Sequence, residues 1–122
     1  PIPLGCLVLL RTGWQAKWTN PTDYLGGCRT DQLHFPGFGL DAAQLLLDGR
    51  AVAGLAADTA GLEPGTDTGF SVSRLALDNR LIVIENLTNL DQLPPTGALL
   101  VIGLLRLDGG SGGPVSVTAL VP

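Results

Sequence analysis

The chain has 122 residues, of which 45% are hydrophobic and 15% charged, so it can form one domain with a packed core and is not intrinsically disordered. Its net charge of −4 and its scattered cations exclude the basic stripe that nucleic-acid binding needs. The longest apolar stretch, Ala98–Leu105, is far shorter than the roughly 20 residues that cross a bilayer, so we expect no membrane partner.

The cysteine content and the first residues of the chain indicate in which cellular compartment we expect the protein and whether we expect the domain to be complete. Two cysteines, Cys6 and Cys28, are too few for a disulfide scaffold, and we expect both to be reduced. Because no signal-peptide pattern precedes them, this usage predicts a cytoplasmic protein. The first residues, Pro1–Gly5, are typical of a loop that enters a domain already begun, which suggests a partial domain over residues 1–122.

The first half of the chain predicts two strands with a long loop and a helix between them. Cys6–Thr12 is an apolar run that suits a central strand covered on both faces. Gly13–Gly39 is predicted to be a functional loop, since it contains five of the six aromatic residues. Asp41–Asp48 predicts a short helix ended by Gly49, and Ala51–Asp58 predicts a second buried strand.

The second half predicts a helix followed by three strands. Ser71–Asn79 has helical spacing of its apolar residues. Leu81–Ile84 is the strongest strand pattern, and we expect it to be central. Ala98–Leu107 and Pro114–Val121 predict two more strands, and the Gly-rich segment 108–113 between them indicates a hairpin connection, because a phosphate-binding loop would lead into a helix.

The residues suited to metal binding do not form a recognisable site. His34 is the single histidine, and a lone loop histidine beside aromatic residues is typical of packing or of a backbone hydrogen bond. Cys6, Cys28 and His34 lack the local spacing of zinc ligands. We therefore predict no cofactor or self-sufficient metal site in this chain.

Two carboxylates that follow buried strands are the candidate site residues. Glu85 directly follows four apolar residues, and a carboxylate there needs a cation, a metal or several hydrogen-bond donors. The structural alternative is an ion pair with one of three arginines, Arg74, Arg80 or Arg106. Asp58 ends the second predicted strand, and its structural alternative is capping of a helix or turn.

The order of several short motifs resembles the cyclase family, which includes bacterial kynurenine formamidases and isatin hydrolases. The most specific motif is Glu-Asn-Leu-Thr-Asn-Leu at residues 85–90, followed by Leu93-Pro94. The other matching segments are Val8–Trp14, Phe35–Gly37 with Ala42-Ala43, Asp58-Thr59, and Gly109-Gly110 with Gly113–Val115. Together these segments cover nearly the whole chain.

The resemblance implies an α/β fold of the swivelling β/β/α type, with a mixed sheet and short helices. It also implies hydrolysis of a small-molecule amide or formamide by water bound to zinc or manganese. Glu85 matches the family's glutamate, which is a metal ligand where other residues complete the site or else an acid–base partner. Ser73 stands where the family has a histidine, and Gly61 and Glu63 replace a serine and an aspartate.

The family's His-x-Gly-Thr-His-x-Asp metal motif does not occur in this chain. The resemblance therefore leaves two hypotheses. In the first, the chain is part of a metal-dependent hydrolase and is inactive alone. In the second, it is a non-enzymatic remnant that acts as an oligomeric binding module, which we expect to be a homodimer because unpaired strand edges need covering.

Overall fold

A computed structural model describes residues 1–122, which form two compact units, Pro1–Asp91 and Gln92–Pro122. The first unit contains three parallel strands and the longer helices, and the second contains an antiparallel hairpin. The predicted α/β class with short helices is confirmed, and the parallel and antiparallel pairings occur in two separate sheets.

The parallel sheet of the first unit has the order β1-β2-β3. Its strands are β1 (Leu7–Leu10), β2 (Gly54–Ala57) and β3 (Ile82–Ile84). In this register Leu55 lies between Val8 and Val83. Parallel neighbours need a crossover, and helices supply it in both cases.

The central strand is β2, so the predictions that the first strand and Leu81–Ile84 are central are wrong for this chain. All four residues of β2 are buried, whereas Ile82 in β3 is 45% exposed. The long apolar side chains of β1 and β3 suggested that these strands are central. The central strand β2 instead has small residues, which allow its neighbours to pack closely against it. A Cβ atom at Gly54 would overlap the carbonyl oxygen of Ile82, so this contact requires glycine.

The two longer helices, α2 (Leu40–Arg50) and α3 (Ser71–Asp78), contact each other. Gly49 does not end α2 as predicted: Ala51 takes the left-handed conformation and donates its N–H to Leu47 O at 3.0 Å. The α3 prediction is confirmed, with Val72 and Ala76 buried on one face. The core that these elements enclose consists of Phe38, Ala43, Val52, Leu55, Ala57, Leu62, Val72 and Ala76.

The segment Gly13–Gly39, which was predicted to be a functional loop and is called the aromatic segment below, contains three short helical turns. These are the 3-10 turns Trp14–Lys17 and Thr30–Gln32, and helix α1 (Pro21–Leu25). Asn20 caps α1 by accepting from Thr22 N at 3.1 Å, and Pro21 occupies the first helical position. The Asn-Pro pair is thus a helix start here rather than a turn. A third 3-10 turn spans Leu90–Gln92.

The second unit is the predicted hairpin, with strands β4 (Leu99–Leu104) and β5 (Val115–Leu120). One face consists entirely of aliphatic side chains, from Leu100, Ile102, Leu104, Val115, Val117 and Ala119. The other face carries Leu99, Val101 and Leu120, which are all largely exposed, beside Ser116 and Thr118.

Neither cysteine is part of a disulfide: Cys6 and Cys28 are both free thiols. None of the helices combines the length and the apolar character that a bilayer crossing requires.

We expect Leu55→Asp to abolish cooperative folding and Ile82→Asp to be tolerated. Leu55 is 1% exposed in the central strand, so an aspartate there is an unpaired buried charge and destabilises by more than about 4 kcal/mol. At the half-exposed position 82 the loss should be about 1 kcal/mol. Urea unfolding followed by circular dichroism measures both, and the reverse ranking would contradict the observed strand order.

Candidate functional site

Polar residues collect where the three parallel strands end. Thr12 and Gly13 follow β1, Asp58 follows β2, and Glu85 with Asn86 follows β3. Crevices at the carboxyl ends of parallel strands are where open α/β sheets bind their ligands. This carboxyl edge of the sheet is the candidate functional site.

Asp58 is fully buried and is held by three donors on the segment after β1. Thr12 N donates to both carboxylate oxygens at 3.0 and 3.1 Å, and Thr12 Oγ1 donates to Oδ1 at 2.6 Å. Gly13 N donates to Oδ2 at 2.7 Å. These bonds satisfy the carboxylate, so Asp58 fixes the start of the aromatic segment. The role of Asp58 is structural, but it is a contact with the neighbouring strand end and not the expected cap of a helix or turn.

Glu63 is a second buried carboxylate, with 4% of its surface exposed. It accepts from Ser73 N at 2.8 Å and from Ser73 Oγ at 3.1 Å, which places its charge at the N-terminus of α3. A carboxylate there is stabilised by the helix dipole and by free N–H groups. Gly37 permits this placement, because a Cβ atom on it would overlap the Glu63 backbone. The sequence-predicted Ser73 is therefore a cap partner, and its hydroxyl is engaged.

Glu85 is the accessible carboxylate at this edge, since its side chain is exposed while Asp58 and Glu63 are buried. Desolvation of the carboxyl raises the pKa of Glu85, and the nearby Glu63 charge raises it further. The chain's single salt bridge joins Arg29 to Asp31 at 3.0 Å, so the predicted ion pair of Glu85 with an arginine is wrong.

Tyr24 brings the aromatic segment into the site, a contact that sequence analysis missed. Its hydroxyl lies 2.9 Å from Asn86 Oδ1 and 3.1 Å from the Asp58 carbonyl oxygen, and it donates to these acceptors. Trp14 Nε1 donates to Tyr24 O at 2.6 Å, and the Trp18 ring contacts the Tyr24 ring edge-on. Burial raises the pKa of Tyr24, and the Asp58 and Glu85 charges raise it further. In the sequence, the clustering of aromatic residues indicated a functional segment but did not indicate which residues Tyr24 contacts.

The donor atoms of this chain do not fit a metal ion by themselves. No three His, Cys, Asp or Glu side chains come together as a ligand group. His34 is exposed, and it is the backbone N–H of this residue that bonds, to Leu25 O at 2.8 Å. Glu63 uses both carboxylate oxygens on Ser73. Glu85 would need ligands from elsewhere to hold zinc or manganese.

Comparison with known proteins finds a match to the cyclase family and similarity to isatin hydrolases. A family model described as "Putative cyclase" matches residues 1–64. An isatin hydrolase from Roseibium aggregatum is 30% identical over 125 residues, an alignment covering 99% of this chain and 47% of that protein. The chain therefore spans about half the length of this relative.

Solved structures of isatin hydrolases share the fold. Isatin hydrolase A from Ralstonia solanacearum matches with a TM-score of 0.92 and 33% identity, over 100% of this chain and 48% of that chain. An isatin hydrolase bound to the product analogue thioisatinate matches with a TM-score of 0.91 and 30% identity, over 100% and 47%. The fold expected from the family resemblance is confirmed.

We expect Glu85→Gln to leave the melting temperature unchanged or to raise it at pH 7.5. The pKa of Glu85 in the folded chain lies above its unfolded value of about 4.3, so its ionisation lowers stability as pH rises through that interval. At pH 3.5, where both states are protonated, the variant and the wild type should melt alike. Differential scanning calorimetry at both pH values measures this.

The matched control is Asp31→Asn, which removes an exposed carboxylate from the Arg29 salt bridge. A clear loss of melting temperature for Glu85→Gln at pH 7.5, absent in the control, would contradict the expectation and indicate a cation that stabilises Glu85.

Proposed function

The chain belongs to the cyclase family, and on that premise we propose that it supplies the Glu85 side of an active site that hydrolyses a small-molecule amide. The observation that carries the proposal is the contrast among the three carboxylates at the sheet edge. Asp58 and Glu63 are buried and bound by backbone N–H groups, whereas Glu85 is accessible and the pKa of its carboxyl is raised. Glu85 is the carboxyl that a substrate can reach.

The isatin hydrolases that the chain resembles suggest a cyclic aromatic amide as the substrate. Water adds to the amide carbonyl carbon and the carbon–nitrogen bond breaks. One water proton passes to the nitrogen, and the other is released to solvent as the carboxylate forms. Glu85 is proposed to take the proton from the attacking water and to give it to the departing nitrogen. A raised pKa makes the ionised carboxyl a stronger base, so Glu85 can accept the proton from water and return it to the nitrogen. An aryl formamide, the class implied by the resemblance to kynurenine formamidases, requires the same proton transfers.

We propose further that the 122 residues alone do not hydrolyse the amide. Zinc or manganese would supply water activation in a complete site, and the donor atoms of this chain do not form a ligand group for either ion. The proposal is supported by the length comparison, since the chain spans about half of the isatin hydrolases it matches. The missing ligands would then come from another polypeptide segment.

A chimera tests this proposal. We expect activity when this chain replaces its matching segment in the Roseibium aggregatum isatin hydrolase, and none from the chain alone. Glu85→Gln in the chimera should lower kcat by roughly 10²- to 10⁴-fold, the usual contribution of general acid–base catalysis. Hydrolysis of isatin and of formanilide, followed by absorbance, gives kcat and KM.

Asp31→Asn is again the control, because its exposed salt bridge lies outside the site. Two results would sink the proposal: an unchanged kcat for Glu85→Gln in an active chimera, or hydrolysis by the isolated chain at the chimera's rate.

The hairpin favours a second candidate function, that of an oligomeric module. Two-stranded hairpins are marginally stable on their own, and both faces of this one carry aliphatic side chains. Exposed apolar patches of this kind mark association surfaces. We propose that β4 and β5 associate with those of a second copy to form a homodimer.

We expect light scattering after size exclusion to give twice the 12.6 kDa chain mass, and Val101→Lys to shift the protein towards monomer. Leu45→Lys is the control, because Leu45 is an equally apolar and exposed residue on α2 of the first unit. A monomeric wild-type chain at 100 micromolar, roughly a hundred times a micromolar Kd, would rule out the dimer.

A further inference from the structure

The turn that follows Glu85 has an unusual backbone conformation. Asn86 has a φ of +59°, in the left-handed region that residues other than glycine rarely adopt. Its N–H donates to Thr59 O at 2.9 Å, and the next N–H, of Leu87, donates to Ala57 O at 3.0 Å. The backbone therefore turns directly after Glu85, and these two bonds tie the turn to the end of β2.

The Asn86 side chain is held by Tyr24 from a distant part of the sequence. The two residues are 62 positions apart, and the hydroxyl-to-Oδ1 distance is 2.9 Å. A hydroxyl has one proton, so Tyr24 donates alternately to Asn86 Oδ1 and to the Asp58 carbonyl oxygen at 3.1 Å. Either way, the phenol oxygen connects the ends of β2 and β3.

Tyr24 is itself fixed on three sides. Its side chain is only 5% exposed, and the Trp18 ring packs edge-on with centroids 5.1 Å apart. Its carbonyl oxygen accepts from Trp14 Nε1, and its N–H donates to Asn20 O at 2.9 Å, in the first turn of α1. A hydroxyl on so restrained a ring can hold its hydrogen-bond partner in one position.

We infer that Tyr24 is a positioning residue: its hydroxyl holds the Asn86 side chain, and thereby the left-handed turn that directs Glu85 at the sheet edge. The importance of that direction for catalysis rests on the function proposed above for Glu85. The stabilisation of the turn by the Tyr24 hydroxyl does not depend on that proposed function. Because the pKa of Tyr24 is raised, the hydroxyl keeps its proton and remains a donor throughout the neutral range.

Amide hydrogen exchange in the 122-residue chain tests the hold on the turn. Tyr24→Phe removes the hydroxyl and keeps the ring, so we expect exchange at Asn86 and Leu87 to accelerate about tenfold. The amides of β2, such as Leu55, should be unaffected. In an Asn86→Gly background, where the left-handed turn needs no side-chain support, Tyr24→Phe should have no further effect.

Ser71→Ala is the matched control, because it also removes a hydroxyl that donates a hydrogen bond, in this case to the Asp67 carboxylate before α3 and not at the ends of β2 and β3. General destabilisation would accelerate exchange equally in both variants and at Leu55 as well. That result would overturn the inference, as would unchanged exchange at Asn86 and Leu87 in Tyr24→Phe.

Kinetics of the active chimera separate this inference from the proposed function. If Tyr24 positions Glu85, Tyr24→Phe lowers kcat about tenfold with KM unchanged, in parallel with the faster exchange. Suppose that exchange is faster in Tyr24→Phe while kcat is unchanged in both Tyr24→Phe and Glu85→Gln. That result would support the role of Tyr24 in the turn and refute the role of Glu85. Unchanged exchange together with a large loss in Glu85→Gln would refute the role of Tyr24 alone.

Discussion

The site depends on the burial of the Asp58 carboxylate. A fully buried carboxylate is stable only with several hydrogen-bond donors, and Thr12 and Gly13 provide them from the end of the neighbouring strand. This contact fixes the point where the aromatic segment begins. Trp14 and Tyr24 follow from that point, and the Tyr24 hydroxyl returns to the Asp58 backbone and to Asn86. The segment thus closes over the sheet edge by hydrogen bonds as well as by apolar packing.

In this site the buried carboxylates have structural roles, and the accessible carboxylate has the proposed chemical role. Asp58 and Glu63 are buried, and N–H groups of the strand end and of α3 satisfy them. Glu85 is accessible, and desolvation of its carboxyl together with the nearby Glu63 charge raises its pKa. A carboxylate that stabilises a helix terminus therefore also adjusts the acidity of the proposed acid–base group. Ser73, which the family resemblance matches to a histidine, completes that cap.

Some elements were predictable because their signals are local. The apolar spacing in α3 and the apolar, turn-bounded segments of the hairpin strands depend on neighbouring residues, so periodicity located them correctly. The cap of α1 was missed because Asn20 and Pro21 are also typical of turns. The helix α2 continues through Gly49, since the tertiary contacts of the helix outweigh the weak helix propensity of one glycine.

The sequence by itself determined the family, the α/β class and the position of Glu85 after an apolar strand, since each follows from residue order within a short segment. Only the tertiary structure decided which strand is central, because apolar content does not set strand order: the small residues of β2 are buried, whereas Ile82 of β3 is half-exposed. It also decided the partners of Glu63 and Tyr24, which lie 10 and 62 residues away along the chain. Such pairings arise from where the chain folds back, and local spacing carries no information about them.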